Sequence, residues 1–535
     1  MKNNIMAGLA LLTAFAATSC NGFLDEDPKG QSLPENYFRS QEDVQMSLVS
    51  LYDKVYASQN NSQSPAVNFM GDDVTTNSGS NKQAYAEIDR FSASNNNKCL
   101  TDTWNYPYGW IKAANFIING VEKAPASKEE INIAMGNAKY WRASGYFRLV
   151  RAFGPVPLNL DNVNDDYKDQ PATIEQVYAQ IEKDLLEAIP LLPTGYSGTP
   201  RNINGCDVFI TKQAAQATLG AVYMAMAGYP LGKAECYAKA AEVLKEVIDG
   251  NHYTLDSDFR EVYSMGNNWN KETVVGYSYN PILGSWWQDS ELTSCGLYES
   301  LGGWGDSWAE IKYWKNYPEG PRKDAVYSPM IRLKDGTLVN WWDKDGEGKA
   351  LLPEYHPMFS VFTSNASDEA GAVQVEAPYD YTKQPYLNMT DGHRHRIIRY
   401  AEVLLWYAEA VGRSGQTNAL AIECLNKVRN RAYKGVEGYE PVTSLTPAEL
   451  AEMAYNEHGW EVAGYWVALV TRRDDQLRTN TLKDVFADRK ANAGVEVAPG
   501  VVVTEPIAME GEWTDARNYL PYPEGDSSKN PALVH

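Results

Sequence analysis

Residues 211–248 read TKQAAQATLGAVYMAMAGYPLGKAECYAKAAEVLKEVI, and this stretch decides the fold. Two helical runs flank the break Gly228-Tyr-Pro-Leu-Gly232, whose glycines and proline allow the chain to reverse. The faces that would meet carry small side chains, which allow two helices to approach closely. These residues are Ala214, Ala215, Ala217, Gly220, Ala221, Ala240 and Ala241. The stretch therefore predicts a closely packed pair of helices.

A second helical pair is predicted over residues 398–412 and 420–432, with a break at Gly412-Arg-Ser-Gly415. Further amphipathic helices are predicted over residues 41–57, 111–121, 131–153 and 174–189. The first pair resembles a tetratricopeptide repeat with a lengthened loop, through the series Leu219-Gly220, Tyr223, Ala240, Leu244 and Val247. We therefore predict a mainly α chain whose helical pairs form a tetratricopeptide-like scaffold.

Between about residues 251 and 390 the character of the sequence changes. Gly, Pro, Asp, Asn, Trp and Tyr become frequent, and short β-like runs such as Thr273-Val-Val-Gly-Tyr-Ser-Tyr279 replace helical periods. Eight of the fifteen tryptophans lie within residues 269–342, where they either fill a core or form a stacking platform for a ligand. We interpret residues 20–535 as one domain, with a helical scaffold over about 40–250 and 395–535 and a loop-rich, Trp-rich irregular insert between them.

The charge balance excludes one class of partner. The chain has 535 residues, with 48 Lys and Arg against 69 Asp and Glu, and a formal net charge of −21. A protein that binds nucleic acid needs a clustered basic surface to displace counterions, and the dense basic run here is short, His393-Arg-His-Arg396. We therefore expect no nucleic-acid partner. A hydrophobic fraction of 44% also excludes disorder for most of the chain.

Residues 1–19 have the features of an export signal. Lys2 precedes an apolar run over residues 5–17, which is too short to span a bilayer. The run ends at Ala17-Thr-Ser-Cys20, which resembles the lipobox of a bacterial lipoprotein, in which the cysteine is lipidated. A plain secretory signal is the alternative. Because two or more acyl chains hold a protein firmly on a membrane, we expect lipid anchoring through Cys20.

The remaining cysteines are odd in number and irregularly spaced: Cys99, Cys206, Cys236, Cys295 and Cys424. This pattern is neither a disulfide framework nor a metal site. At most two disulfide bonds can form, and the alternative is a set of buried free thiols. We predict no bound metal.

Enzyme motifs are missing from the sequence. It has no Gly-x-Ser-x-Gly, His-Glu-x-x-His, Gly-x-x-x-x-Gly-Lys-[Ser/Thr] or Cys-x-x-Cys. A glycosidase needs only two suitably placed carboxylates, and 69 acidic residues do not exclude such a pair. We predict that the chain is not an enzyme, with no catalytic residue and no cofactor.

Blocks along nearly the whole chain are similar to those of the RagB/SusD family of outer-membrane nutrient-binding lipoproteins. Their order and spacing carry the resemblance. The blocks are Phe23-Leu-Asp25 after the lipobox, 138–158, 181–185, Thr211-Lys-Gln-Ala-Ala215, 398–410, 425–432, Tyr519-Leu-Pro-Tyr-Pro523 and Asn530-Pro531. Residues 454–469 depart from the family pattern, so local contacts are expected to differ there.

The resemblance implies a helical scaffold that carries an irregular ligand-binding face. It also implies a lipid anchor on the outer membrane, exposure at the cell surface, and a position on a TonB-dependent (SusC-like) transporter. The motif residues on predicted helices are expected to make packing and ion-pair contacts within the scaffold. They are Arg142, Arg399, Glu402, Arg429 and Arg431.

Family members that bind glycans use an arc of aromatic rings with nearby Asp, Asn and Arg. The resemblance implies a first group of site candidates at Asp72, Asp73, Trp104, Tyr106 and Tyr108, of which the three aromatic residues are placed before a helix starting at 111. The insert would supply the second group, Trp286, Trp287, Trp304 and Trp308. A turn is the alternative role for the two aspartates, and capping of the helix is the alternative for Trp104.

Three classes of function remain open. The first is capture of an oligo- or polysaccharide, whose rings stack on Trp or Tyr while their hydroxyls bind fixed polar groups. The second is capture of oligopeptides, which relies on hydrogen bonds to the peptide backbone. The third is a surface glycoside hydrolase, which requires a cleft with paired carboxylates of shifted pKa. The density of tryptophan favours glycan capture.

Overall fold

The computed structural model describes residues 34–58, 65–77, 79–162, 170–279, 290–333, 335–361, 373–374 and 391–534. Helices make up most of the regular structure, and the strands are short. The predicted mainly α class is therefore confirmed.

The N-terminal half is a series of helices that pack on their neighbours in the sequence. They are α1 (Pro34–Tyr37), α2 (Gln41–Ala57), α3 (Gln83–Asp89), α4 (Lys98–Gly120), α5 (Lys128–Phe153), α6 (Ile174–Ala188), α7 (Lys212–Ala227) and α8 (Cys236–Asp249). Polar side chains accept hydrogen bonds from first-turn N–H groups, as Ser127 does at α5 and Thr173 does at α6. Helix α4 packs on α5, α5 packs on α6, and α7 packs on α8. The predicted helices over 41–57, 131–153 and 174–189 are confirmed, with small shifts of their ends.

Helices α7 and α8 pack through the predicted small residues. Ala217 and Ala240 are fully buried. Gly220 faces Leu244, and a Cβ atom at this glycine would overlap the leucine side chain. The close helical pair predicted from the sequence is confirmed.

The C-terminal half completes the scaffold. Its helices are α13 (Tyr400–Arg413), α14 (Ala419–Ala432), α15 (Pro447–Val462), α16 (Arg472–Arg478), α17 (Leu482–Ala491) and α18 (Glu524–Ser527). Helix α13 packs against α14, α15 and α8, so it joins the two helical pairs. The second predicted pair is confirmed, although α13 begins at Tyr400 because Ile398 and Arg399 belong to a strand.

Between residues 251 and 390 the described elements are short. The helices there are α9 (Phe259–Val262), α10 (Leu292–Gly296), α11 (Ile311–Asn316) and α12 (Pro321–Val326). The strands of the described chain are β1 (Val74–Thr75), β2 (Asn202–Ile203), β3 (Cys206–Asp207), β4 (Thr273–Tyr277), β5 (Trp308–Ala309), β6 (Ile331–Arg332), β7 (Leu338–Val339), β8 (Val373–Gln374), β9 (His395–Arg399), β10 (Val495–Ala498) and β11 (Val501–Val503). Two antiparallel ladders, β1 with β5 and β4 with β9, join this region to the scaffold.

The start of α4 corrects one sequence prediction. Trp104, Tyr106 and Tyr108 lie inside this helix, not before it, because the Asn97 side chain accepts hydrogen bonds from the N–H groups of the next turn. The helix predicted to start at residue 111 therefore starts at Lys98, and Pro107 lies within it and is buried. Proline removes one backbone hydrogen-bond donor from a helix interior.

Six buried side chains form an arginine–glutamate cluster between the insert and the C-terminal helices: Arg322, Arg399, Arg431, Glu272, Glu457 and Glu461. Glu461 lies at its centre, with Arg322 Nη1 at 2.9 Å and Arg399 Nη1 at 2.8 Å from its carboxylate oxygens. Burial alone would raise the pKa of Glu461, but Arg431, Arg399 and Arg322 lower it to about 2. The predicted ion-pair role of Arg399 and Arg431 is thus confirmed.

The other motif residues make ion pairs or hydrogen bonds inside the protein, and the cysteines are buried. Arg142 binds both carboxylate oxygens of Asp184, at 2.8 and 2.7 Å, and Arg429 pairs with Glu457 at 3.1 Å. The Arg399 backbone N–H donates to Glu402 Oε2 at 2.7 Å. No disulfide bond joins any two of the five cysteines in the described chain, and all five are buried: Cys99, Cys206, Cys236, Cys295 and Cys424.

Candidate functional site

One face of α4 presents polar and aromatic side chains at the surface. Asp102, Asn105 and Tyr106 share this face because residues three and four apart lie side by side on a helix. Asn105 is exposed, whereas Asp102 and Tyr106 are half-buried. Tyr106 therefore combines an accessible ring with neighbouring oxygen acceptors.

The short helix α10 borders this face of α4. Burial raises the pKa of Tyr106, and the charges of Asp102 and Glu291 raise it further, so Glu291 lies near the tyrosine hydroxyl. Glu291 immediately precedes α10. The helix is held in place from the other side, where the Thr293 hydroxyl donates to Asp391 Oδ2 at 2.6 Å.

Trp304 is fixed on the same short helix. Its backbone N–H donates to the carbonyl of Ser294, inside α10, at 2.6 Å. The preceding residue, Gly303, packs so closely on Leu297 that a Cβ atom would overlap the leucine backbone. The Trp304 side chain is half-buried. Trp304 and Tyr106 are thus two half-buried aromatic residues next to the α10 segment, and we call them the aromatic platform.

Two predicted site residues of α4 point into the protein instead. Trp104 is 4% exposed and packs edge-on against Phe153, with ring centroids 5.0 Å apart. The Tyr108 hydroxyl donates to the Pro157 carbonyl at 2.9 Å, and its ring lies 5.0 Å from that of Trp104. Both residues lie against the core, on a different face of α4 from Tyr106.

Trp308 also belongs to a core. It lies in β5 opposite Thr75, is 6% exposed, and has its ring 4.7 Å from that of His356. With residues such as Leu297 and Trp341 of the insert and Val497 of β10 it forms a second, smaller hydrophobic cluster. These contacts do not bring Trp308 to the aromatic platform.

Three candidates lie outside the described residues: Cys20, Trp286 and Trp287. The residues that flank 280–289 are described, and both contact His395. The Tyr279 ring lies 4.6 Å from the His395 ring, and the Ser290 hydroxyl lies 2.7 Å from His395 Nε2. Tyr279 and Ser290 therefore both lie at His395, and Ser290 directly precedes Glu291 and α10.

Asp72 and Asp73 lie at the opposite end of the β1–β5 ladder from Trp304. Asp73 is buried and accepts a hydrogen bond from the Gly464 N–H at 2.8 Å, and burial together with the charge of Asp72 raises its pKa to about 7. Asp72 makes a two-point ion pair with Arg472, at 2.9 and 3.1 Å. The contacts of both aspartates are therefore with residues of the C-terminal half, Gly464 and Arg472.

Three polar residues near Tyr106 are not among the predicted site residues: Asp102, Asn105 and the buried Glu291. Asn97 as a helix cap, together with the spacing of Asp102, Asn105 and Tyr106, is the signal that finds the first two. Glu291 has no such signal, since tertiary packing alone brings it to α4. Within the described residues, no group of three His, Cys, Asp or Glu side chains is arranged to hold a metal ion. No helix in this part of the chain is long and apolar enough to cross a bilayer.

Comparisons with known proteins agree on one family. Residues 22–224 match the SusD-like family model described as starch-binding associating with outer membrane, and residues 364–535 match the SusD family model. Among curated proteins, SusD-like protein P25 of Formosa agariphila is 24% identical over 512 residues, covering 89% of each chain. A SusD-like protein of Bacteroides ovatus is 23% identical over 574 residues, covering 100% of this chain and 97% of the other.

Solved structures show the same fold. A SusD homologue from Bacteroides thetaiotaomicron superposes with a TM-score of 0.76 at 20% identity, covering 94% of this chain and 97% of the other. Surface glycan-binding protein A from Bacteroides uniformis gives a TM-score of 0.68 at 21% identity, covering 92% and 99%. Members of the family are binding proteins, not enzymes. On these matches, which together span more than half of its length, the chain belongs to the SusD/RagB family.

Proposed function

We propose that this chain is a surface lipoprotein that captures an oligo- or polysaccharide at the aromatic platform. The observation that carries the proposal is that the half-buried rings of Tyr106 and Trp304 belong to segments that both lie next to α10, with Asp102 and Asn105 beside the tyrosine. Family relatives support the ligand class. Structurally similar proteins include one solved with a xylogluco-oligosaccharide and one named as laminarin binding.

The chemistry of the platform suits a sugar. A pyranose ring presents C–H groups on its faces, which pack on the flat surface of Trp or Tyr. Its hydroxyls require fixed hydrogen-bond partners, and Asp102 and Asn105 share the surface face of α4 with the Tyr106 ring. Trp286 and Trp287 remain predicted members of the site, because residues 280–289 adjoin Glu291 in the chain.

The delivery step is part of the same proposal. We expect the captured glycan to pass to a TonB-dependent (SusC-like) outer-membrane transporter, on which this chain would sit while anchored through Cys20. The family description, which associates these proteins with the outer membrane, supports the location at the cell surface.

Isothermal titration calorimetry on the soluble chain 21–535 tests the ligand class. The panel contains maltohexaose, laminarihexaose, a xyloglucan oligosaccharide and mixed oligopeptides. We expect one glycan to bind, and Trp304→Ala and Tyr106→Ala each to weaken that binding by roughly tenfold or more. Tyr106→Phe, which keeps the ring, should weaken it less. Hydrolysis of the glycan during the titration would instead indicate a hydrolase.

Trp342→Ala is the matched control, because Trp342 is another half-buried tryptophan of the insert and packs on Trp314 and Trp341. This variant should bind as the unaltered chain does. Binding of oligopeptides without any glycan would refute the proposed ligand class. If Trp342→Ala and Trp304→Ala weakened glycan binding equally, the aromatic platform would not be the glycan-binding site.

A further inference from the structure

A second cleft opens at the other end of the β1–β5 ladder. It has a volume of about 300 Å³ and lies between α11, the end of α15, α16 and α17. Its polar and aromatic lining includes Asp72, Lys312, Asn316, Trp460, Arg472 and Asp488. We call it the Trp460 cleft. Ligand pockets in proteins occupy roughly 300 to 1,000 Å³, so this cleft fits a small ligand or a single ring of a larger one.

Trp460 provides a rigid, half-buried ring at this cleft. Its ring centroid lies 4.8 Å from that of Tyr313 and 5.1 Å from that of Tyr317. The Tyr317 hydroxyl also donates to the Trp460 carbonyl at 2.6 Å. Because two tyrosines support the ring, it is ordered before any ligand arrives, which lowers the entropy cost of binding.

A fixed carboxylate lies near the ring. Arg472 holds both oxygens of Asp72, and its guanidinium lies 5.6 Å from the Tyr313 ring. Gly459 makes this arrangement possible, since a Cβ atom there would lie 2.9 Å from Arg472 Nη1. The Asp72 side chain is 29% exposed, so its remaining lone pairs can accept hydrogen bonds from a ligand.

The charges of the lining select the ligand class. Each cation on the lining already has a carboxylate partner within the described chain, since Arg472 pairs with Asp72 and Lys312 pairs with Asp488. The third, Arg489, pairs with the buried Asp89 outside the lining. An anionic sugar would thus meet no unpaired cation. A neutral ring with hydroxyl groups matches both Trp460 and the Asp72 carboxylate.

We propose that the Trp460 cleft is a second carbohydrate subsite, separate from the aromatic platform, which takes one neutral sugar residue. This second proposal rests on the proposed function only in that it takes carbohydrate as the ligand class. Among the other acids of the lining, Glu310 is 6% exposed and accepts a hydrogen bond from the Tyr313 N–H at 2.6 Å, and Asp488 pairs with Lys312. Asp72 is thus the carboxylate that lies beside the Trp460 ring and remains open to a sugar hydroxyl.

Fluorine NMR on the chain labelled with 5-fluorotryptophan tests the subsite. Trp304→Phe and Trp460→Phe assign the two resonances of interest, and Trp342 serves as the reference resonance. The probes are maltohexaose, laminarihexaose and a xyloglucan oligosaccharide, with oligogalacturonate as the anionic comparison. We expect a neutral probe to shift the Trp460 resonance in the unaltered chain and also in Trp304→Ala. Asp72→Asn should raise the concentration needed for half of that shift by roughly tenfold.

The two proposals fail separately in this experiment. A Trp460 resonance that no neutral probe moves would overturn the second subsite, whatever the Trp304 resonance does. A Trp304 resonance that does not move counts against the aromatic platform alone. A Trp460 shift that disappears in Trp304→Ala, or that oligogalacturonate produces equally well, would also overturn a separate subsite for neutral sugars.

Discussion

Replacement of Glu461 by Gln tests the role of the arginine–glutamate cluster. The substitution keeps the size of the side chain and removes its charge. Arg322, Arg399 and Arg431 then remain buried with one carboxylate fewer. Removal of one partner from a buried ion pair leaves an uncompensated charge, which costs about 3–5 kcal/mol.

The pKa of Glu461 gives an independent magnitude. The surrounding arginines lower it from 4.5 to about 2. At roughly 1.4 kcal/mol for each tenfold change in proton affinity, the charged form contributes about 3 kcal/mol to the free energy of unfolding. Because the folded pKa is the lower one, this contribution is complete above about pH 5 and falls to about half near pH 3.

Urea denaturation at pH 7 and at pH 3 measures both expectations. Glu461→Gln should lose about 3 kcal/mol at pH 7, and its difference from the unaltered chain should shrink at pH 3. The control is Asp249→Asn, which breaks an exposed pair with Lys245 and should cost less than about 1 kcal/mol. A loss at pH 7 no larger than that of the control, or a loss independent of pH, would refute the reasoning.

Three further predictions concern other parts of the molecule. Gly220→Val should lower the melting temperature by several degrees in a circular dichroism melt, because its side chain would overlap Leu244. Gly109→Ala, at another helical glycine where a Cβ meets open space, should not lower it. Cys20→Ala should move the protein from the membrane fraction to the soluble fraction after cell lysis, and retention in the membrane fraction would contradict lipid anchoring through this residue. The five buried cysteines should react with a thiol reagent in urea but not in buffer, since burial raises the pKa of Cys424 to about 12 and protects the others from the reagent; rapid labelling of the native chain would contradict this.

The helical scaffold could be predicted from the sequence because the features that predict a helix lie within that helix or next to it. Helices α7 and α8 combine apolar periodicity, small facing residues and a break that contains glycine and proline. The family blocks add long-range order to those local signals. The same local periodicity placed the start of α4 too late, at residue 111, although the capping residue Asn97 lies well before it.

Only part of the candidate site could be predicted from the sequence, because Trp and Tyr side chains occur both in hydrophobic cores and in sugar-binding sites. Trp104 and Tyr106 are two residues apart in one helix, yet the first is packed on Phe153 and the second reaches the surface. Which face of α4 is covered depends on distant segments. The environment of Asp72 is decided in the same way, since its partner Arg472 lies 400 positions further along the chain.

The arginine–glutamate cluster has a consequence for protein engineering. Glu272 and Arg322 come from the insert, whereas Glu461 and Arg431 come from the scaffold helices. A graft that moves the insert of one relative into another, in order to transfer ligand preference, therefore has to carry matching charges at both ends. Without them the hybrid would bury unpaired guanidinium groups. The insert therefore has to be transferred together with its ion-pair partners in the scaffold.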